Sequence, residues 1–435
     1  MFRAARPRRH PDPGSRPAPG RVPPRHPDAG SRPAPVRVPM FRYLTARVIS
    51  WIGSSITLVA LPVLLYQRTG SAALSGLLAA LEAVPYLLLG LPAGALADRW
   101  DRRRTLVLTS WTSALLIASI PVAAALGLLT TPQLFVVAAG SSASFVFFDA
   151  AAFGALPALV GREGIAKATS TLMTLSTLVT LIGPALAGVL IAVTGAPHAM
   201  SLDALSYAAA ALLLSRLPLP PPPPAQARNL RAEIGDGIRY IRNHPMINSL
   251  TFLGIGNSLA EGAVLGLLVV VAVERFGLSS GDGRIGLLFA VAAAGAMLAG
   301  LSLPRLRHRF STPAISLTGL ASVGLLLIVW ACTDRLLLAL PILACWQAAN
   351  TLVSLNGIVE RQEQTPDDLQ GRVNTTARMI AWGGQPAGAA LAGTLAELTS
   401  AKTALLLVAA TVLATLTLPP ARRLAEQRQP VEPHK

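Results

Sequence analysis

Residues 94–104 read Gly94-Ala-Leu-Ala-Asp98-Arg99-Trp100-Asp101-Arg102-Arg103-Arg104 and lie between two long apolar runs. Six of the seven positions 98–104 are charged, in a chain of 435 residues that is 13% charged and 52% hydrophobic. Soluble globular domains carry about 25% charged residues, because a folded surface must face water. A chain this poor in charge is therefore read as solvated by hydrocarbon, with its charge concentrated in short turns outside a membrane.

The placement of the remaining charge agrees. Of a net charge of +16, residues 1–39 contribute nine Arg and two Asp. Most of the other basic residues lie in short segments between apolar runs. That is a topology signal and not a groove for phosphates, so no nucleic-acid partner is expected. Cys332 and Cys345, the two cysteines, lie in or beside apolar runs and imply neither a disulfide framework nor a metal site.

Residues 9–23 (RHPDPGSRPAPGRVP) recur as 25–39 (RHPDAGSRPAPVRVP). This Pro/Arg-rich tract has almost nothing to bury, so residues 1–39 are expected to be disordered. It has no apolar core of a signal peptide. Met40-Phe41-Arg42 would make a normal short cytoplasmic start, which would place the duplicated tract upstream of the true start codon. A basic tail touching anionic lipid is the alternative.

A spanning helix needs about 20 apolar residues. Twelve runs qualify, near 43–66, 72–96, 105–128, 132–156, 168–193, 197–217, 246–272, 284–303, 312–331, 335–359, 372–398 and 400–419. Only helices fit, since each backbone polar group must pair within its own segment. With the N-terminus inside, the inner loops and C-terminal tail hold 20 Lys and Arg, counting Arg216 and Arg372 at span edges, against 5 in the outer loops. Positive charge marks the inner side, so both termini are expected in the cytoplasm and the chain in the inner (plasma) membrane.

The longest break opens with Pro220–Pro224, a stiff spacer. Leu230, Ile234, Ile238 and Ile241 then form one apolar stripe, flanked by Arg231, Arg239 and Arg242, of a helix expected to lie on the inner membrane surface. The expected fold class is an all-α membrane protein of 12 transmembrane helices in two six-helix pseudo-symmetric halves. Its organisation would be a 1–39 tail, a 40–217 bundle, a 218–245 linker, a 246–419 bundle and a 420–435 tail.

The opening stretch resembles the Gly-x-x-x-Asp-Arg-x-Gly-Arg-Arg signature between spans 2 and 3 of the Major Facilitator Superfamily. Gly94, Asp98, Arg99, Arg102 and Arg103 match, and Asp101 replaces the second Gly. Asp203-Ala-Leu-Ser206-Tyr207, Gly371-Arg372-Val373, and Pro386-x-Gly388 with Gly393 are similar to the drug- and siderophore-exporting branch, the macrolide-efflux and enterobactin-exporter-like proteins. The resemblance covers about 43–419. It implies a secondary active transporter working by alternating access, driven by protons, that exports a small amphipathic compound such as a drug, antibiotic or siderophore. There are departures. The second-half copy of the signature, 300–309, lacks its Asp, a span-4 arginine is absent, and the antiporter motif is reduced to Gly183-Pro184 and Gly188.

The resemblance makes Asp98 a gate latch, a carboxylate accepting bonds from the free N–H groups at the start of span 11. Arg102 and Arg103 would pair with acids nearby; a plain topology loop is the alternative. Glu82, Asp149 and Glu261 are carboxylates at membrane depth, where charge is costly and commonly faces a cavity, so they are candidates for binding cations or carrying protons. Neutral structural acids are the other reading. Asn257 shares a helical face with Glu261. Arg378 could hold an anion, neutralise an acid, or snorkel to the inner surface, and Arg47 is expected to snorkel. Gln385-Pro386 marks an interruption in span 11. Asp203, Ser206 and Tyr207 suggest a structural network.

No Gly-x-x-x-x-Gly-Lys-Ser/Thr loop, metal-ligand cluster, dinucleotide fingerprint or nucleophile–base set is present, so neither an enzyme nor a cofactor is expected. The expected partners are a small-molecule substrate, protons and the lipid bilayer, with the chain a monomer. A nutrient importer of the same fold, or a non-transporting sensor or scaffold, remain alternatives.

Overall fold

The computed structural model describes residues 37–97, 99–219, 230–366 and 369–426. The duplicated tract up to residue 36, Asp98 and the Pro220–Pro224 spacer lie outside the described residues. The elements are α1 (Arg37–Thr69), α2 (Ala72–Ala97), α3 (Arg102–Ala125), α4 (Thr131–Thr194), α5 (Ala196–Ser215), α6 (Leu230–Asn243), α7 (Pro245–Glu274), α8 (Arg284–Arg309), α9 (Thr312–Ala331), α10 (Leu336–Gln364), α11 (Gln370–Trp382), α12 (Gly384–Leu398), α13 (Ala401–Thr415) and α14 (Pro419–Glu426).

Among the described residues nine helical segments are long and apolar enough to cross a membrane, or ten if α13 and α14, bent by 50°, are one span. The expected twelve differ for physical reasons. α5 has the length but carries His198, Ser201, Asp203, Ser206 and Tyr207. The eleventh run is broken at Gly383 into α11 and α12, each too short alone, with Arg372 and Arg378 in the first. Two boundaries also move. α1 begins at Arg37, inside the segment expected to be disordered. Residues 419–426 form α14, seated through buried Ala421 and Leu424 on α7 and α9 rather than running out as a tail.

α4 joins the fourth and fifth runs without the expected loop. Its two arms meet at Gly161 (φ 68°, ψ 173°), a conformation that only glycine adopts cheaply. Gly195 (φ 82°) then reverses the chain into α5, with Pro197 pre-set for the first turn.

α1 packs on α4 and α5, α3 on α4 and α5, and α2 on α4, which assembles one bundle. α7 packs on α12 and α13, α8 on α10, and α9 on α10 and α13, which assembles the second. α7 is the most enclosed span: 78% of its apolar window is buried, against 28–50% in the others. Large apolar side chains stay exposed on the flanks, Phe153 (87%), Leu337 (82%) and Val193 (80%) among them. A surface of that kind is stable against lipid and not against water.

The bundles meet through small residues. Gly76 on α2 faces Ala389 and Gly393 on α12, and Gly266 on α7 also lies against Gly76. The second arm of α4 meets α8 at Gly188, Gly283 and Gly286. In lipid, where burial of apolar surface drives no association, such close backbone approach supplies the dispersion that holds helices together. These seams all lie near the helix ends remote from α6, here called the far end; the other is the linker end.

A Cβ at Gly76 would sit 2.8 Å from the Gly393 Cα, whereas one at Gly90 on the same helix meets nothing within 4 Å. Gly76→Val is expected to cost about 1–3 kcal/mol by overpacking and to lower the thermal denaturation midpoint in detergent, with Gly90→Val near wild type. Equal midpoints for the two variants would contradict this packing.

Candidate functional site

Asp203 is fully buried in α5, facing α1. The Thr57 hydroxyl donates to its Oδ2. The Ser206 hydroxyl donates to its Oδ1 at 3.2 Å and to its carbonyl at 2.7 Å. Tyr207 and Ser54 share a hydrogen bond of 2.9 Å beside it. Gly53 leaves the space the carboxylate and Ser206 occupy. A carboxylate so enclosed, with its oxygens committed to hydroxyls, ties α5 to α1.

Arg47 on α1 does not snorkel. Its guanidinium lies 4.5 Å from the Trp51 ring centroid and 5.0 Å from that of Phe148 on α4. Asp149, the neighbour of Phe148, stands within electrostatic reach of it. Rings with a negative face hold a cation where water cannot.

In the second bundle Asn257 and Asn350 exchange bonds: each side-chain amide donates at 3.0 Å to the other's backbone carbonyl, and Asn257 also reaches Ser354 Oγ at 3.0 Å. Asn257 is thus committed to joining α7 and α10. Glu261, one turn on, accepts from Gln347 Nε2 at 3.4 Å. Gln385 contributes its backbone, whose carbonyl rests where Gly262 has no side chain.

Between the bundles, Glu82 and Tyr86 lie four residues apart on one face of α2, and the Glu82 carbonyl accepts from Ser142 Oγ at 2.5 Å. Arg378 on α11 reaches across to this face. Its guanidinium lies 4.6 Å from the Tyr86 centroid and 4.3 Å from that of Trp382, and the two rings are 5.4 Å apart at 45°. Arg378 therefore neither snorkels nor neutralises one of the described carboxylates. It bridges the halves through aromatic faces, just before the helix breaks at Gly383.

At the linker end Asp98 lies outside the described residues, and its neighbours have distinct tasks. Asp101 caps α3, accepting from Arg104 N at 2.8 Å. Arg102 lies against α4 at Gly154, where no side chain stands in its way. Arg99, Arg103 and Arg104 are exposed, and Gly94 has open space around it.

The second-half copy of the signature, though lacking its Asp, is well connected. Arg307 bonds Asn356 Oδ1 at 3.0 Å, Glu360 at 3.2 Å, and Glu363. Thr312 Oγ1 donates to Glu360 at 2.6 Å. Sequence reasoning missed this network; the Glu360-Arg361-Gln362-Glu363 run ending α10 was its signal.

The amphipathic helix α6 does not lie free on a surface. Asp236 pairs with Arg372 at 3.1 Å, Tyr240 donates to the Gln364 carbonyl at 2.8 Å, and Ile241 packs with Ile247, Val373 and Ala377.

At the far end two further carboxylates join the halves. Tyr66 on α1 donates to Glu274 on α7 at 3.1 Å. Glu397 near the end of α12 accepts from Ser71 Oγ at 3.0 Å and Ala73 N at 3.1 Å, at the N-terminus of α2. Free N–H groups and the helix dipole make that terminus a natural seat for an anion.

A family profile described as transmembrane secretion effector matches residues 30–433. The multidrug efflux pump Tap of Mycolicibacterium fortuitum is 28% identical over 367 residues, 81% of this chain and 88% of Tap. The enterobactin exporter EntS of Citrobacter koseri is 29% identical over 355 residues, 80% of this chain and 83% of EntS. Among solved structures, a bacterial homologue of the human lysosomal transporter Spinster, inward-facing and unoccupied, superposes with TM-score 0.73 at 14% identity over 93% of this chain and all of that one. The nucleoside transporter NupG gives 0.71 at 15% identity over 90% and 99%. At these identities the two structures speak for the fold alone.

Asp203→Ala strands the Thr57 hydroxyl and leaves Ser206 only its bond to the backbone carbonyl, which costs about 1–3 kcal/mol. A reduced monodisperse peak on size exclusion is expected for it, whereas Glu82→Gln and Glu261→Gln should elute as wild type. A normal peak for Asp203→Ala would contradict a structural role.

Proposed function

The chain belongs to the transmembrane secretion effector family of the Major Facilitator Superfamily, and on that premise we propose that it exports a small amphipathic molecule by alternating access, in exchange for protons. Its relatives named as efflux pump and exporter support the outward direction. The excess of Lys and Arg at the linker end supports placing that end, and both termini, in the cytoplasm. Residues 40–217 and 246–419 are then the two moving bodies, and 218–245 the tether.

The observation that carries this reading is the contact of Glu397 with the start of α2. α2 and the α11–α12 pair run antiparallel and belong to different halves. At the far end α12 finishes in a carboxylate seated on the α2 N-terminus. At the linker end α2 finishes at Ala97, and the signature resemblance seats the carboxylate of Asp98, the next residue in the sequence, on the N-terminus of α11. The same pair of helices therefore carries a latch at each end, of the same chemistry and opposite sense. For an exposed carboxylate each such seat is worth about 0.3–1 kcal/mol, strong enough to bias the halves and weak enough to break in each cycle. Closing one end as the other opens is alternating access in its simplest form.

Glu82 and Glu261 lie at membrane depth, and among the described residues neither has an ion-pair partner. They are the groups placed to take up and release protons as the route changes sides, with Asp149 beside Arg47 as a third. Hydrocarbon makes an unpaired carboxylate costly, so the proton and the motion of the halves are coupled.

In cells loaded with a fluorescent substrate, an uncoupler should raise the retained dye if the protein exports; a fall would indicate an importer. Asp98→Asn and Glu397→Gln should each lower efflux several-fold with near-normal amounts of protein in the membrane. Unchanged efflux in both variants would remove the paired latches. Glu82→Gln and Glu261→Gln should each reduce uncoupler-sensitive efflux, and full activity in both would exclude them as proton carriers.

A further inference from the structure

The chain contains the pattern Arg-x-Ile-x-Trp twice, at Arg47-Val-Ile-Ser-Trp51 and Arg378-Met-Ile-Ala-Trp382. The four-residue spacing stacks each guanidinium over the indole one turn further on. In both cases another helix supplies the second ring, Phe148 from α4 and Tyr86 from α2. Arg47 lies ten residues into α1 and Arg378 eight residues into α11, about 15 and 12 Å from the same end at 1.5 Å per residue.

The two cages differ in charge balance. Arg47 has Asp149 within electrostatic reach. Arg378 has neither an ion pair nor a hydrogen bond among the described residues, and Glu82, one turn from Tyr86, does not pair with it. Ring faces stabilise a cation but leave its N–H donors unused, and a guanidinium presents five of them. The unused donors lie at the contact between the halves, beside two rings tilted at 45° whose outer faces are the ones left for a flat group.

We propose that Arg378, Tyr86 and Trp382 form the cargo clamp, and that the cargo is an aromatic anion: a carboxylate or phenolate attached to a planar ring. The anionic oxygens take the fork of Arg378 while the ring lies against Tyr86 or Trp382. Because Tyr86 and Arg378 sit on different halves, the bound anion touches both moving bodies. This rests on the export reading only in treating the ligand as cargo; binding itself is measured without transport.

The test uses the full chain in phosphatidylcholine nanodiscs, which carry no net anionic lipid, and three probes sharing one ring: 2-naphthoate, neutral 2-naphthamide and cationic 2-naphthylmethylammonium. Titration calorimetry should find 2-naphthoate bound at least about tenfold more tightly than either of the others. Arg378→Ala should lose about tenfold or more of that affinity, and Arg378→Lys, which keeps the charge and loses the fork, should fall between. Tyr86→Leu should weaken all three probes. Arg47→Lys, in the compensated cage, should stay within about twofold. Tightest binding of the cationic probe, or wild-type affinity for 2-naphthoate in Arg378→Ala, would overturn the proposal. Export of a cationic dye that ignores Arg378 would also overturn it while leaving export intact. Specific 2-naphthoate binding without any energised transport would uphold the clamp and sink the export reading.

Discussion

Hydrocarbon offers no partner to a charge, and the arrangement of this protein follows from how each buried charge is compensated. Asp203 is answered by hydroxyls from α1 and α5, Arg47 by two rings and Asp149, and Glu261 by an amide from α10. The first three charges knit their own bundle, and Glu261 does the same in the second. Arg378 is the exception, because one of its rings belongs to the opposite half. Asp203 and Arg47 serve their own bundle, whereas the guanidinium of Arg378 stands where the two halves meet.

The same solvent determines how the halves adhere. Lipid is as apolar as leucine, so the two bundles gain nothing by hiding oily side chains from it. They meet instead through glycine and alanine, where backbones come close, and through carboxylates seated on hydroxyls and helix N-termini. Both kinds of contact are local and modest in energy. An interface made of such contacts can separate at one end without dismantling either bundle.

Nine or ten of the twelve expected spans, the stripe of α6 and the Asp203–Ser206–Tyr207 group were legible because each is a local pattern with a helical or compositional signature. What could not be read depends on pairing between distant segments. The spacing of Arg378 and Trp382 is visible in the chain, but Tyr86, nearly three hundred positions away, is not marked as its partner. Glu397 looks like a terminal acid until α2 is placed beneath it. Asn257 looked like a companion of Glu261, and only the neighbouring α10 shows that its amide is already engaged. The fourth and fifth spans are the two arms of α4, as Arg162 and Lys167 suggest, but a single glycine at positive φ joins them where a loop was expected. The short arms of the eleventh run are held by their neighbours, α11 by α6 and α7 and α12 by α7 and α2.

Distances between spin labels across the two ends test the central claim most directly. In a background with Cys332 and Cys345 replaced by serine, one label pair would join Gln67 to Lys402 at the far end, and a second Arg103 to Arg309 at the linker end. All four positions are exposed. Rocking halves require the two distances to change in opposite senses between proton-loaded and proton-poor conditions, with Glu397→Ala shifting the far-end pair toward longer separations. Two distances that stay constant, or that lengthen and shorten together, would contradict the account.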